Sequence, residues 1–231
     1  WPTTASVCQI DPMEKQAYFT SANLHCKSLR LLAGVDAFRR RHAAIRVCPQ
    51  QAALLVLDMQ NSFLSPHSHA FVPSAPAILD VIRRLQTLFM VAGRPVIFTK
   101  HANSPANAGM MSVWWRELIL PDTASSQIVS TLDTGNCLVI EKSQYDAFWK
   151  TDLDFTLRSM GVAQVVITGV MTHLCCETTA RSAFVQGYNV FLAVDGTATY
   201  TEALHRASLL TLSHGYAMPL LADEIAGAFR D

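Results

Sequence analysis

The chain has no excess of charge of either sign. Eighteen basic residues balance eighteen acidic ones, and charged side chains make up only 16% of 231 positions. Without a basic arm or patch nothing points to nucleic acid, and Arg39-Arg40-Arg41 is too short a run to supply one. No stretch approaches the roughly 18–20 apolar residues that cross a bilayer, so no membrane partner is expected. The first residues also lack the apolar core of a secretory leader, and Trp1 in place of Met leaves room for a segment upstream. Paired cysteine motifs are missing too. Cys8, Cys26, Cys48, Cys137, Cys175 and Cys176 form no CxxC pair and no cysteine-histidine spacing of a zinc site. An even count alone says little about disulfides in a chain of this length. A reducing, cytoplasmic compartment is the reading that fits.

What is present is apolar residue, half of the chain, enough for a large core in one domain. Residues 1–50 are polar and loosely patterned and read as an arm lying on the domain or on a partner subunit, with a helix from Ala37 to Ile45 that Asp36 would cap. From residue 51 the pattern is regular through residue 231. Ala52–Leu57 is a continuous apolar run of the kind buried on both faces of a sheet, and similar runs recur at Pro95–Thr99, Cys137–Ile140, Gln164–Thr168, Val190–Val194 and Tyr216–Leu220. Between them lie segments with helical spacing. Ile78, Ile82, Leu85 and Phe89 form one stripe, and Phe155, Leu157 and Met160 another that stops at Gly161. Cys175–Gln186 stops at Gly187, and Glu202–Ser213 stops before Gly215. A helix closed by glycine and followed by a strand, repeated, predicts an α/β fold: a doubly wound, mainly parallel six-stranded sheet flanked by helices in three layers.

Open parallel sheets bind ligands beyond the carboxyl ends of their strands. Three reactive residue types fall there. The first strand ends at Asp58, the third at Lys142, and the fourth leads through Gly169-Val170-Met171-Thr172-His173-Leu174 to Cys175. Each alone has an ordinary structural explanation: a loop-capping carboxylate, a solvated lysine, a packed cysteine. Together they form a candidate centre. Of the adjacent cysteines, Cys176 shares a helical stripe with Ala180, Ala183, Phe184 and Gly187 and is expected in the core. Cys175, about 100° away and nearer the helix start, would have free N–H groups and the positive helix end to favour a thiolate.

The stretches LLVLDMQNSF, VIEKSQYDAFWKTDL and VVITGVMTHLCCETTARSAF resemble, in order, three segments of the isochorismatase-like superfamily, the cysteine hydrolases. The resemblance spans about residues 50–220. It implies an Asp58–Lys142–Cys175 triad, a cis peptide between Val170 and Met171, and an oxyanion hole formed by the N–H groups of Met171 and Cys175. A small-molecule substrate, no cofactor and a homo-oligomer, dimer or tetramer, are expected. The implied chemistry is hydrolysis of an amide, ureido or related C–N bond: Asp58 takes the thiol proton, Lys142 favours the anionic forms, and the thiolate attacks a carbonyl. His173 is not needed as the base.

True isochorismatases use the acid to protonate a vinyl ether and need no thiol. His173 follows their pattern and Cys175 that of the thiol enzymes, so carbonyl chemistry is favoured, with Asp58 as a general acid on isochorismate the alternative. A noncatalytic binding module on the same fold is the alternative of another class. Trp115 and Tyr145 resemble the aromatic walls over the substrate, with His101, Phe148 and His173 as further candidate contacts. Nicotinamidases carry an Asp-x-His metal site where this chain reads Thr99-Lys100-His101-Ala102-Asn103. No metal is expected there, and nicotinamide is disfavoured. His67 and His69 read as a solvated pair in a polar loop.

Overall fold

The computed structural model describes residues 14–115 and 117–230. The chain enters as an extended segment and forms helices α1 (Leu24–Ala33) and α2 (Asp36–Arg41). The helix expected from Ala37 to Ile45 is shorter and starts one residue earlier. Val35 holds the N-cap position and Asp36 lies in the first turn, where its charge faces the positive helix end. Helix α1 was not foreseen. It buries Leu24, Leu31 and Leu32, spaced at i, i+7 and i+8 on one face. Tyr18 and Phe19 ahead of it are 4% and 1% exposed and belong to the main core. This segment is packed on the domain.

Strands and helices then alternate as β1 (Ala52–Leu57), α3 (Asn61–Leu64), α4 (Ala75–Val91), β2 (Val96–His101), α5 (Met111–Trp114) and β3 (Leu138–Lys142). After them come α6 (Leu153–Ser159), β4 (Gln164–Val170), α7 (Glu177–Val185), β5 (Asn189–Ala198), α8 (Glu202–Gly215), β6 (Met218–Leu220) and α9 (Ala222–Gly227). All six expected strands form, and they pair in parallel in the order β3-β2-β1-β4-β5-β6. Helices α4 and α9 pack on each other, while α8 packs on both α1 and α7. Crossovers leave the β1/β4 pair in opposite directions, and their common right hand puts the two groups on opposite faces. Every residue of β1 and β4 is buried, as their unbroken apolar runs require.

The expected helical faces hold in part. Ile78, Ile82, Leu85 and Phe89 are all buried in α4. In α6 the buried residues are Leu153 and Leu157, while Phe155 is 77% and Met160 47% exposed. Leu153 and Leu157, four apart, share the buried face, and Phe155, two residues from each and about 200° round the helix, faces outward. Before α7 the chain makes a π-helical turn, Thr172–Cys176, and regular α-helix starts only at Glu177. Cys176, Ala180 and Ala183 are fully buried as expected, but Phe184 is 49% exposed.

Strand order reverses between β1 and β4, and the crevice of such a sheet opens there. Gly169 lets the two strands meet. Its φ is +107°, and a Cβ atom there would lie 2.0 Å from the Leu57 carbonyl oxygen. Only glycine fits. The strand ends that carry Asp58 and the 171–175 segment are thereby brought side by side.

Candidate active site

Asp58 follows β1 with a φ of 52°, in the left-handed region that few non-glycine residues adopt. Its N–H donates to the Thr99 carbonyl oxygen at 3.2 Å, and the Thr99 hydroxyl donates back to Asp58 Oδ1 at 2.6 Å. β2 thus holds Asp58 by its backbone and by one carboxylate oxygen. Lys142, the last residue of β3, places Nζ 2.7 Å from Asp58 Oδ2, and neither side chain is exposed to solvent. The same ammonium donates to the Gln144 carbonyl at 2.9 Å and to Cys175 Sγ at 3.4 Å. Residues 58, 142 and 175, far apart in sequence, therefore meet around one buried ammonium.

Their electrostatics follow from that closure. Burial works against the charged lysine, yet the Asp58 carboxylate and Cys175 more than offset it and hold Lys142 above its ordinary value. Burial, then the Asp58 carboxylate, push the Cys175 thiol well up, and Lys142 only partly opposes them. The resting group is a thiol. The thiolate expected at a helix start does not form because Cys175 sits in the π turn, closed off from water, against a carboxylate.

A cavity of about 330 Å³ opens over Cys175 and Met171. Trp115 and Tyr145 form part of its wall, and the Trp115 indole N–H donates to the Tyr145 hydroxyl at 2.7 Å. His101 lines it too, with Nε2 bonded to Asn103 Oδ1 at 2.7 Å. Burial and then the Lys142 charge lower the His101 pKa and favour the neutral ring. The Val170–Met171 peptide is cis. Two expected contacts are not among the lining residues. Phe148 packs on Tyr188 with ring centroids 5.9 Å apart, the chain after Tyr145 turning where Asp146 Oδ1 caps the Phe148 N–H. His173, two positions before Cys175 and on the other side of the π turn, is hydrogen-bonded through Nδ1 to the Thr199 hydroxyl.

The wall also contains residues that the sequence reading did not select: Phe63, Asn103, Met111, Tyr200 and Lys15. Asn103 was legible, two residues beyond His101 and facing the same way along an extended chain. Phe63 and Met111 come from the short helices α3 and α5, Tyr200 from a loop and Lys15 from the N-terminal segment, where no local pattern marks them. His67 and His69 are both exposed, as expected, and His69 also borders the cavity with Nδ1 3.1 Å from Glu117 Oε2. The donor set at His101 does not suit a metal ion. Its Nε2 is occupied by Asn103, the nearby charge is the Lys142 ammonium, and the described residues contain no cluster of three His, Cys, Asp or Glu side chains.

A profile of the Isochorismatase domain matches residues 52–224. The chain belongs to the isochorismatase family. Nicotinamidase 3 of Arabidopsis thaliana is 41% identical over 179 residues, covering 75% of this chain and 86% of that protein. Isochorismatase of Bacillus subtilis is 28% identical over 183 residues, 77% of this chain but 57% of that longer protein. Among solved structures, a cysteine hydrolase from Pseudomonas syringae superposes with a TM-score of 0.77 at 23% identity, covering 80% of this chain and 95% of its own. That likeness speaks for the fold. Family membership makes the protein a hydrolase of the isochorismatase type.

Proposed function

We propose that this isochorismatase-family hydrolase is a cysteine amidase that cleaves a small amide or ureido C–N bond through a thioester on Cys175. The observation that carries the reading is the Lys142 ammonium held 2.7 Å from Asp58 and 3.4 Å from Cys175. Asp58 takes the thiol proton as sulfur attacks the carbonyl carbon. The Met171 and Cys175 N–H groups donate to the oxyanion, and neither hydrogen-bonds to another element among the described residues. Collapse breaks the C–N bond while Asp58 gives its proton to the leaving nitrogen. Water, losing a proton to Asp58, then attacks the thioester. The C–S bond breaks, the acid leaves, and the proton returns to sulfur.

Lys142 keeps net charge in the buried centre near zero while the negative charge moves between oxygen and sulfur. The neutral His101, oriented by Asn103, offers a hydrogen bond to the polar end of the substrate, and Trp115, Tyr145 and Phe63 take its apolar body. The case against nicotinamide rested on a missing metal site, and the Arabidopsis relative restores nicotinamide to the compounds worth assaying. The test is turnover on a panel of nicotinamide, small ureido acids, aliphatic amides and isochorismate. Release of ammonia or amine supports the reading. Turnover of isochorismate alone, undiminished in Cys175→Ala, assigns the protein to the vinyl ether chemistry instead.

A further inference from the structure

Lys15 lies well outside the family domain at residues 52–224, yet it lines the same cavity as Cys175. Its position is fixed by the backbone beside it. The Gln16 N–H donates to the Tyr200 carbonyl at 2.7 Å, the Ser74 hydroxyl donates to the Gln16 carbonyl at 3.2 Å, and the Ser74 hydroxyl in turn accepts from the Phe19 N–H at 3.0 Å. The Tyr18 hydroxyl accepts from the Thr199 N–H at 3.0 Å and shares a hydrogen bond with His205 Nδ1 at 2.8 Å. Held in this way, the Lys15 ammonium stands 4.3 Å from the centroid of the Tyr200 ring and bonds to the His69 carbonyl. Among the described residues no carboxylate lies within ion-pair distance of it. The carboxylate on the cavity wall, Glu117, is given to His69 Nδ1 at 3.1 Å. A half-buried ammonium with a ring and one carbonyl for company is incompletely neutralised, and burial already lowers its pKa. Cys175 is buried at the floor of the cavity and Lys15 half-exposed, so the cation stands toward its mouth.

We infer that Lys15 is a specificity-determining residue that holds a carboxylate on the substrate while the amide end reaches Cys175. The inference rests on the amidase reading above. The Lys142–Asp58 pair is neutral overall and does not repel such an anion, whereas an uncharged amide leaves Lys15 unused. The N-terminal segment thus completes the substrate site of the family domain. A charge-assisted hydrogen bond of this kind discriminates by about tenfold or more.

The test measures kcat/KM for matched pairs, succinamate against butyramide and meta-carbamoylbenzoate against benzamide, in the wild-type protein, Lys15→Met and Lys15→Arg. The expected result is a wild-type preference for the carboxylate-bearing member. That ratio falls about tenfold in Lys15→Met, mainly through KM, and is largely kept in Lys15→Arg. An unchanged ratio in Lys15→Met, or no wild-type preference, overturns the inference and leaves the amidase reading standing. If no amide is turned over, the amidase reading falls, and calorimetric binding of the same pairs to Cys175→Ala decides the matter. Weaker binding of the anion after adding Lys15→Met then keeps the inference. Equal binding, or none by either member, overturns it.

Discussion

At the scale of single residues, the two adjacent cysteines show what position does to the same side chain. Cys175 borders Asp58 and Lys142 at the cavity floor, while Cys176 is fully buried among core residues. Cys175→Ala is expected to abolish amide hydrolysis with the fold kept. Cys176→Ala keeps turnover and loses on the order of 1 kcal/mol in urea denaturation, the cost of a small cavity. An exchange of these phenotypes would contradict the assignment. The Lys142–Asp58 pair is buried on both sides, so removing one partner leaves a charge without compensation. Lys142→Met and Asp58→Asn should each cost about 3–5 kcal/mol, and the double variant markedly less than their sum. A double-mutant cycle by chemical denaturation checks this, and additive losses would mean that the pair is not coupled.

At the scale of elements, the strands were readable from their unbroken apolar runs, although β3, at the sheet edge, leaves Leu138 and Val139 exposed rather than buried on both faces, and the longer helices between them from the glycines at their ends. What the sequence did not reveal has physical reasons. Helix α1 lies in a polar stretch where three leucines spaced over nine residues are too sparse to stand out. The π turn is one residue wider than an α turn, so a regular helical wheel puts Cys175 at an open helix start it does not have, while Phe184, about 100° round the helix from Ala183, lies at the edge of the buried face. The role of Gly169 depends on how near another strand comes, which no local pattern records. Gly169→Ala should cost at least about 3 kcal/mol, because a Cβ would sit 2.0 Å from the Leu57 oxygen. Gly187→Ala has a φ of +90° with nothing within 4 Å and should cost only about 1 kcal/mol. Thermal melts of the two variants compare them, and equal losses would show that the close approach is not the cause.

At the scale of the whole molecule, the meeting of Asp58, Lys142 and Cys175 was legible because they lie at or just beyond the carboxyl ends of strands of one sheet, but the cavity was not. Lys15, Phe63 and Tyr200 reach it from the N-terminal segment, the short helix α3 and a loop, and only the folded chain brings them together. That segment is tied down through Tyr18 and His205. Burial pulls His205 down to about 3 from an ordinary 6.5. Between those values the unfolded chain binds a proton that the folded chain does not. Stability from this group is therefore fully present above about pH 6.5 and is lost as pH falls toward 3, by up to about 1.4 kcal/mol per pH unit. His205→Gln should flatten the acid limb of a melting-temperature profile between pH 6.5 and 4. An unchanged slope there would mean that other groups set it.

The central claim is that Cys175 carries the substrate's acyl group during turnover. The direct measurement is mass spectrometry of the protein quenched in acid during the steady state with its best amide substrate. The expected result is an added acyl mass on the peptide that contains Cys175, absent in Cys175→Ala, which also loses turnover by several orders of magnitude. An unmodified Cys175 at full turnover, with activity retained in Cys175→Ala and lost in Asp58→Asn, would make the thiol a bystander and contradict the account.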